Sequence, residues 1–295
     1  MQGLIFNPLT LTAALMAIAP FLAAAFFADG FVAQVQRLPV WAKLCCPCLM
    51  CVPYTLVANS AHAFHWGWFA LYGGLPVAIA LLLWSAVGAD PEQRGNWRDW
   101  LVLAVLGLAV DLRWFEGAWP AHLSIFNKVL LLDVGIYSFL ALRRLGGVGF
   151  DLRLKLRDVG VGLREVVFYT PIALALGLAL KFLHWHTGWP GVGPIAGAWL
   201  FTFFFIAVPE ELFFRGWIQN LFERRLGRLP ALLVTAALFG LAHFNKRAVH
   251  FNWRYVLLAA LAGIFYGRAW RRNRRVGASA MTHATVDAIW SLWLR

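Results

Sequence analysis

Ten apolar stretches, most of them close to the length that crosses a lipid hydrocarbon core, follow one another with only short polar turns between them. They fall near residues 9–27, 44–58, 66–87, 100–110, 121–142, 161–183, 195–214, 229–244, 255–270 and 276–294. A membrane-spanning helix needs about 20 apolar residues, and in lipid its backbone groups must be satisfied within the segment. The expected fold is therefore all-α, a polytopic transmembrane helical bundle of about ten spans. The second and fourth stretches are short and read as re-entrant or tilted.

Charge supports the same reading. The chain is 61% hydrophobic and 14% charged, with a formal net charge of +12. Such a balance can indicate nucleic acid, but sixteen Trp, twenty-four Phe and short basic clusters between apolar runs fit interfacial aromatic belts and cytoplasmic loops. No nucleic-acid partner is expected. If ten spans alternate, seventeen Arg and Lys fall on one side, including Arg143, Arg268, Arg271, Arg272, Arg274 and Arg275, against five on the other, including Lys181, Lys246 and Arg247. Both termini then lie outside, and the chain reads as a multi-pass protein of a bacterial plasma membrane. Residues 1–8 carry no Lys or Arg, so the first run is expected to be retained rather than removed as a signal. No repeat or long polar linker interrupts the chain. Residues 146–158 suggest a boundary between amino-terminal helices of unknown role, 1–150, and a second domain, 151–295, with its core at 195–295.

Polar groups inside such runs need a reason, because a charged side chain at a helix centre costs about 3 kcal/mol on insertion scales. The sequence Pro209-Glu210-Glu211-Leu212-Phe213-Phe214-Arg215 places two carboxylates and a guanidinium at the end of the apolar run from Trp199. Adjacent residues point about 100° apart on a helix, so Glu210 and Glu211 should differ in role. Glu211 and Arg215 share a face at i, i+4 and are expected to pair, which leaves Glu210 for the bundle interior. On this reading the pair lies toward the cytoplasmic end of its helix. His243 ends the run from Leu229, with Phe239 on the same face. His283 and Asp287 share a face of the last run, where the carboxylate can orient the imidazole or both can ligate a metal. Any one of these residues alone reads more readily as a buried structural polar group. Acid and base groups on three helices together suit the activation of a water.

Other candidates are weaker. Cys45, Cys46, Cys48 and Cys51 include one CxxC without a second pair, so packing as small hydrophobes outweighs a metal site, and lipidation of a thiol is a further reading. His62 and His65, like His184 and His186, suit solvated or interfacial turns. Lys128 and Asp133, within the fifth stretch, are expected to pair with each other or with a neighbouring helix.

The ordered set EExxxR, FxxxH and HxxxD on successive helices, here Glu210-Glu211 to Arg215, Phe239 to His243 and His283 to Asp287, resembles the CAAX-processing protease and bacteriocin-processing (CPBP, or Abi) family, which includes the Rce1-type prenyl-protein endopeptidases. The resemblance covers about residues 195–295 and extends to Gly216, Tyr266-Gly267-Arg268 and the run Gly277-Ala-Ser-Ala before Met281. It implies an intramembrane endopeptidase acting near the carboxyl terminus of a membrane-anchored protein or peptide, within the bilayer. By position, Glu210 is then the general base, Glu211 its neighbour in the motif, and His243 binds and polarises the water. His283 and residue 287 stabilise the oxyanion, with Arg215 and Phe239 in support.

No cofactor is favoured. Zinc is the alternative, with His243, His283, Glu210 and Asp287 as its ligands, although no HExxH is present. Asp287 stands where the family more often has Asn, and an ionised Asp donates no hydrogen bond; it then either stays protonated, orients His283 or favours a metal. The extra amino-terminal helices are similar to those of exosortase-associated members. The competing classes are a non-catalytic membrane scaffold or immunity protein and a proton-coupled transporter, the latter favoured if Lys128 and Asp133 face the same cavity as Glu210.

Overall fold

The computed structural model describes residues 7–246 and 250–294, so Arg247, one of the cations weighed above, lies outside the described residues together with residues 1–6, 248–249 and 295. Each of the ten apolar stretches coincides with a helical segment. These are α1 (Pro8–Arg37), α2 (Val40–Ser60), α3 (Trp66–Ala89), α4 (Trp97–Asp111), α5 (Ala121–Leu142), α6 (Leu156–Ala179), α7 (Val192–Leu226), α8 (Arg228–Leu241), α9 (Trp253–Asn273) and α10 (Val276–Trp293). Among the described residues there is no strand. The chain is an all-helical, polytopic integral membrane protein. Among the described residues six helices, α1, α2, α3, α5, α6 and α7, are long and apolar enough to cross a membrane. The remaining four are shorter or carry more charge, so the expected ten spans correspond to ten helices but to six by length and apolarity.

Contacts divide the chain into Met1–Gly146 and Gly147–Arg295. In the first unit α1 packs on α2 and α5, and α3 packs on α2 and α4. Asn96 caps α4 by accepting from the amides of Arg98 and Asp99, and the Asp99 carboxylate accepts from the Asn96 amide in return. That reciprocal cap satisfies helix-end donors and holds Asp99 for Arg143. Arg143 Nε donates to Asp99 Oδ1 at 2.9 Å and Nη2 to Asp90 Oδ2 at 2.6 Å. Arg143, counted among the loop cations, is therefore buried and paired. Tyr54 and Tyr72 stack with centroids 5.3 Å apart, and Trp119 Nε1 donates to the Tyr72 hydroxyl at 2.7 Å.

The expected pairing of Lys128 with Asp133 is absent. Asp133 is fully buried with neither oxygen hydrogen-bonded, and Lys128 is exposed. The five-residue separation explains it: at about 100° per residue the two side chains point about 140° apart around α5.

In the second unit α8 and α9 pack along their length because Gly240 has no side chain. A Cβ there would lie 2.5 Å from the Val256 carbonyl and 2.7 Å from Ala260 Cβ. α10 packs on α6, α7 and α9. Gly227, at φ +82°, ends α7 and starts α8, a conformation glycine adopts without Cβ strain. The segment before α6 is tied down by Val276, whose amide donates to the Gly149 carbonyl at 2.8 Å, and by Arg275, which donates to Asp151 and Asp158 at 2.9 and 2.8 Å. Asp151 lies between spans. Burial would raise its carboxyl, but hydrogen bonds from Arg153 and Arg275 outweigh that and lower it to about 2.

Candidate active site

α7 is the element around which the site is built, and its backbone is unusual. Two π-helical stretches, Phe203–Ala207 and Leu212–Gln219, flank the single α-turn Val208–Glu211. π-helix accounts for well under 1% of residues and concentrates at functional sites. The helix also runs on to Leu226, so Glu210 and Glu211 lie near its middle rather than toward one end as expected. The apolar run only appeared to stop at Phe214 because the next turns carry Arg215, Gln219, Asn220 and Glu223, all of them buried or nearly so.

Glu211 is fully committed. It is 0% exposed, and its Oε2 accepts from Arg215 Nε at 3.0 Å and from the Ser279 hydroxyl. Its Oε1 lies 2.8 Å from His283 Nδ1. An ionised carboxylate only accepts, so His283 Nδ1 carries a proton here. The expected i, i+4 pairing with Arg215 is present, and the guanidinium also lies 5.2 Å from the centre of the Phe239 ring. Both charges are buried, a state that requires mutual neutralisation and further hydrogen bonds.

Glu210 differs, as adjacency on a helix requires, although not by facing a deeper interior. Its side chain is 27% exposed, more open than that of Glu211. Oε1 stands 3.9 Å from Lys246 Nζ, Oε2 stands 3.9 Å from His283 Nε2, and Oε2 is buried without a hydrogen-bond partner. Asp287 Oδ2 is 3.5 Å from the same His283 nitrogen. His283 therefore has carboxylates on both nitrogens, held closely at Nδ1 and loosely at Nε2. Tyr266 stacks on its ring at 4.6 Å, and Phe239 meets it edge-on at 5.6 Å.

His243 is 6% exposed, and its Nδ1 lies 2.8 Å from the Phe239 carbonyl. A carbonyl can only accept, so Nδ1 is the donor and Nε2 of the neutral ring is left as an acceptor. Phe239 and Tyr255 each approach the ring with centroids 4.9 Å away.

His243, His283 and Asp287 border a cavity of about 90 Å³ whose walls, Thr170 apart, are otherwise apolar and aromatic, from Ala173 and Leu174 on α6 through Leu258 and Ala262 on α9 to Trp290 on α10. That volume admits several water molecules. Glu210 does not line it.

Ser279 and Tyr266, which the sequence presents only as residues flanking the three motifs, touch Glu211 and His283 directly. The Ser279 oxygen also lies 2.8 Å from the Tyr266 carbonyl, so its single proton is shared between that carbonyl and Glu211, and one hydroxyl joins α7, α9 and α10. The i, i−4 spacing of Ser279 from His283 was the available signal. Among the described residues no three His, Cys, Asp or Glu side chains gather in a way that could hold a metal ion. Cys45, Cys46, Cys48 and Cys51 are free, and His62 is exposed in a left-handed turn while the His65 carbonyl and amide pair with the Tyr54 hydroxyl.

Residues 191–289, about a third of the chain, match the family model described as Type II CAAX prenyl endopeptidase Rce1-like. The resemblance drawn from the three motifs holds over that segment, which contains all of α8, α9 and the site residues of α7 and α10. The match supports a membrane endopeptidase of that type. No curated protein and no solved structure matches the chain.

Proposed function

We propose that this protein is an intramembrane endopeptidase, similar in type to the Rce1-like family its last third matches, and that it hydrolyses a peptide bond near the carboxyl terminus of a membrane-associated protein or peptide. The observation that carries this reading is the unequal state of two neighbouring carboxylates. Glu211 has every oxygen engaged, whereas Glu210 presents a buried, unpartnered Oε2 within 3.9 Å of His283 Nε2. A free acceptor beside a histidine is what the deprotonation of a water requires.

In the proposed reaction a water sits between Glu210 and His243 Nε2. Glu210 takes one proton as the water oxygen bonds to the scissile carbonyl carbon. The oxygen of the resulting tetrahedral intermediate is stabilised by His283 Nε2–H, an imidazolium that donates through Nδ1–H to Glu211 and stacks on Tyr266. Glu210 then returns the proton to the amide nitrogen as the C–N bond breaks. Asp287, 3.5 Å from His283 Nε2, orients that ring, a role that needs an acceptor and so is compatible with Asp in place of Asn. The apolar cavity beside His243 and His283 would accept a hydrophobic substrate side chain.

Zinc fits this donor set poorly. Among the described residues no three His, Cys, Asp or Glu side chains gather in a way that could hold it. No step is therefore routed through a metal.

The test is cleavage of candidate carboxyl-terminally anchored substrates in membranes carrying wild type, Glu210→Gln or His243→Ala protein, with folding followed in parallel and a chelator added to wild type. Cleavage by wild type alone supports the reading. Equal processing by all three proteins overturns it, and reproducible chelator sensitivity would replace the metal-free mechanism.

A further inference from the structure

A polar stripe runs along α7 away from the site, at Glu211, Arg215, Gln219 and Glu223, each four residues from the last. Its two ends are closed. At one, Arg215 Nε donates to Glu211. At the other, the Glu223 carboxylate lies 2.8 Å from Arg271 Nε and 2.6 Å from Arg274 Nη2 and accepts from Gln219 Nε2 at 3.1 Å. The centre is open. Arg215 Nη1 and Nη2, Gln219 Oε1 and Thr235 Oγ1 are all buried polar atoms without a hydrogen-bond partner, on side chains that are each 0% exposed.

Three observations bring these atoms to one level of the bundle. The orientation of the Gln219 amide is fixed, because its Nε2 faces two acceptors, Glu223 Oε1 and the Gly267 carbonyl at 3.4 Å, so Oε1 is directed at a donor. On α8, Leu232 reaches Gly267 beside Gln219, while Phe239 reaches Arg215. Thr235 lies between Leu232 and Phe239 on the face they share. Donors of Arg215, an acceptor of Gln219 and a hydroxyl of Thr235, which can do either, thus surround the same space. Orphaned atoms of this number cost far more than the occasional exception seen in folded proteins, and an ordered water commonly satisfies such a group.

We infer that Arg215, Gln219 and Thr235 enclose a buried water site, and that Gln219 and Thr235 act through it as positioning residues that hold the Arg215 guanidinium on Glu211. The chain of contacts then continues from Glu211 Oε1 to His283 Nδ1, so the orientation of His283 depends on two side chains that never approach a substrate. The kinetic half of this inference rests on the endopeptidase reading. The water site itself does not.

The test uses the full chain in lipid nanodiscs with the guanidinium nitrogens labelled with ¹⁵N. Wild type should show cross-relaxation between water protons and a slowly exchanging Nη–H group, lost in Thr235→Val and restored in Thr235→Ser, with the melting temperature nearly unchanged. Gln219→Met, close in volume, should lose the same signal and serves if Thr235→Val fails to fold. On a cleaved peptide, kcat should fall about tenfold in Thr235→Val and in Gln219→Met at unchanged KM, as when an outer partner of an active-site group is removed, and Thr235→Ser should recover it. Folded variants that keep the water signal and the wild-type kcat overturn the inference, as does a Thr235→Ser protein no better than Thr235→Val. Absence of peptidase activity in wild type would count against the endopeptidase reading alone, and the water signal would then decide the site.

Discussion

His283 Nδ1 lies 2.8 Å from Glu211 Oε1, while His283 Nε2 stands 3.9 Å from Glu210 Oε2. The nearer carboxylate is the one that also neutralises Arg215, and the farther one has an oxygen to spare. Two consecutive residues of one sequence motif thus do separate jobs, and the separation can be measured.

Glu211→Gln leaves the buried Arg215 charge without its counter-ion and should destabilise the protein by about 3–5 kcal/mol, the cost of breaking a buried pair. Glu210→Gln, at a half-open position with no close partner, should cost less than about 1 kcal/mol while abolishing cleavage. Thermal unfolding in detergent beside an activity assay checks both. Equal stability of the two variants would contradict the assignment.

Ala173 lines the cavity from α6 and is itself not fully buried. Ala173→Trp should occupy most of the 90 Å³ available, raise KM for a substrate with a bulky apolar side chain, and leave the melting temperature near that of wild type. Steady-state kinetics with substrates of graded side-chain size would show whether the loss follows size.

Asp151 gives a pH dependence of defined sign. Its folded-state value of about 2 lies below the ordinary 3.8, so its ionised form stabilises the fold fully above about pH 4, and that contribution disappears as pH falls through the folded value. Asp151→Asn should lower the melting temperature near neutral pH and flatten its decline between about pH 4 and pH 2. The difference should shrink with added salt, because part of the network is solvent-exposed. Melting curves from pH 2 to 6 at two ionic strengths test this.

Gly240→Val would force a branched side chain against the Val256 carbonyl and Ala260. A loss of about 1–3 kcal/mol is expected from such overpacking. The same change at Gly160, where a Cβ would meet nothing within 4 Å, should be far milder.

Much of this fold was legible because apolar length is a strong signal: all ten stretches became helices, with the far ends displaced by ten residues at α1 and twelve at α7. The Glu211–Arg215 pair followed from spacing alone. The extension of α7 to Leu226 was hidden, since buried Arg215, Gln219 and Glu223 lower its apolarity without ending it. Arg143 was read by side of the membrane, a rule that takes no account of Asp90 and Asp99 arriving from other segments. Lys128 and Asp133 were paired on chemistry although their spacing opposes it. Ser279 reaches Glu211 across helices, a contact that no local pattern encodes.

The two π-helical stretches around Val208–Glu211 make the register of α7 a property of chain length as well as of sequence. Each wide turn holds extra backbone, so a one-residue deletion within 212–219 can be absorbed by returning the helix to ordinary α geometry. Glu211 and Glu223 would then keep their relative direction, whereas a one-residue deletion in the α-turn Val208–Glu211, which has no such slack, would turn one side of the helix by about 100° relative to the other. Descendants of this gene should therefore accept length changes in the turn at 184–191 and in the wide turns of α7 more readily than at 208–211, a record of the site written in gaps rather than in substitutions.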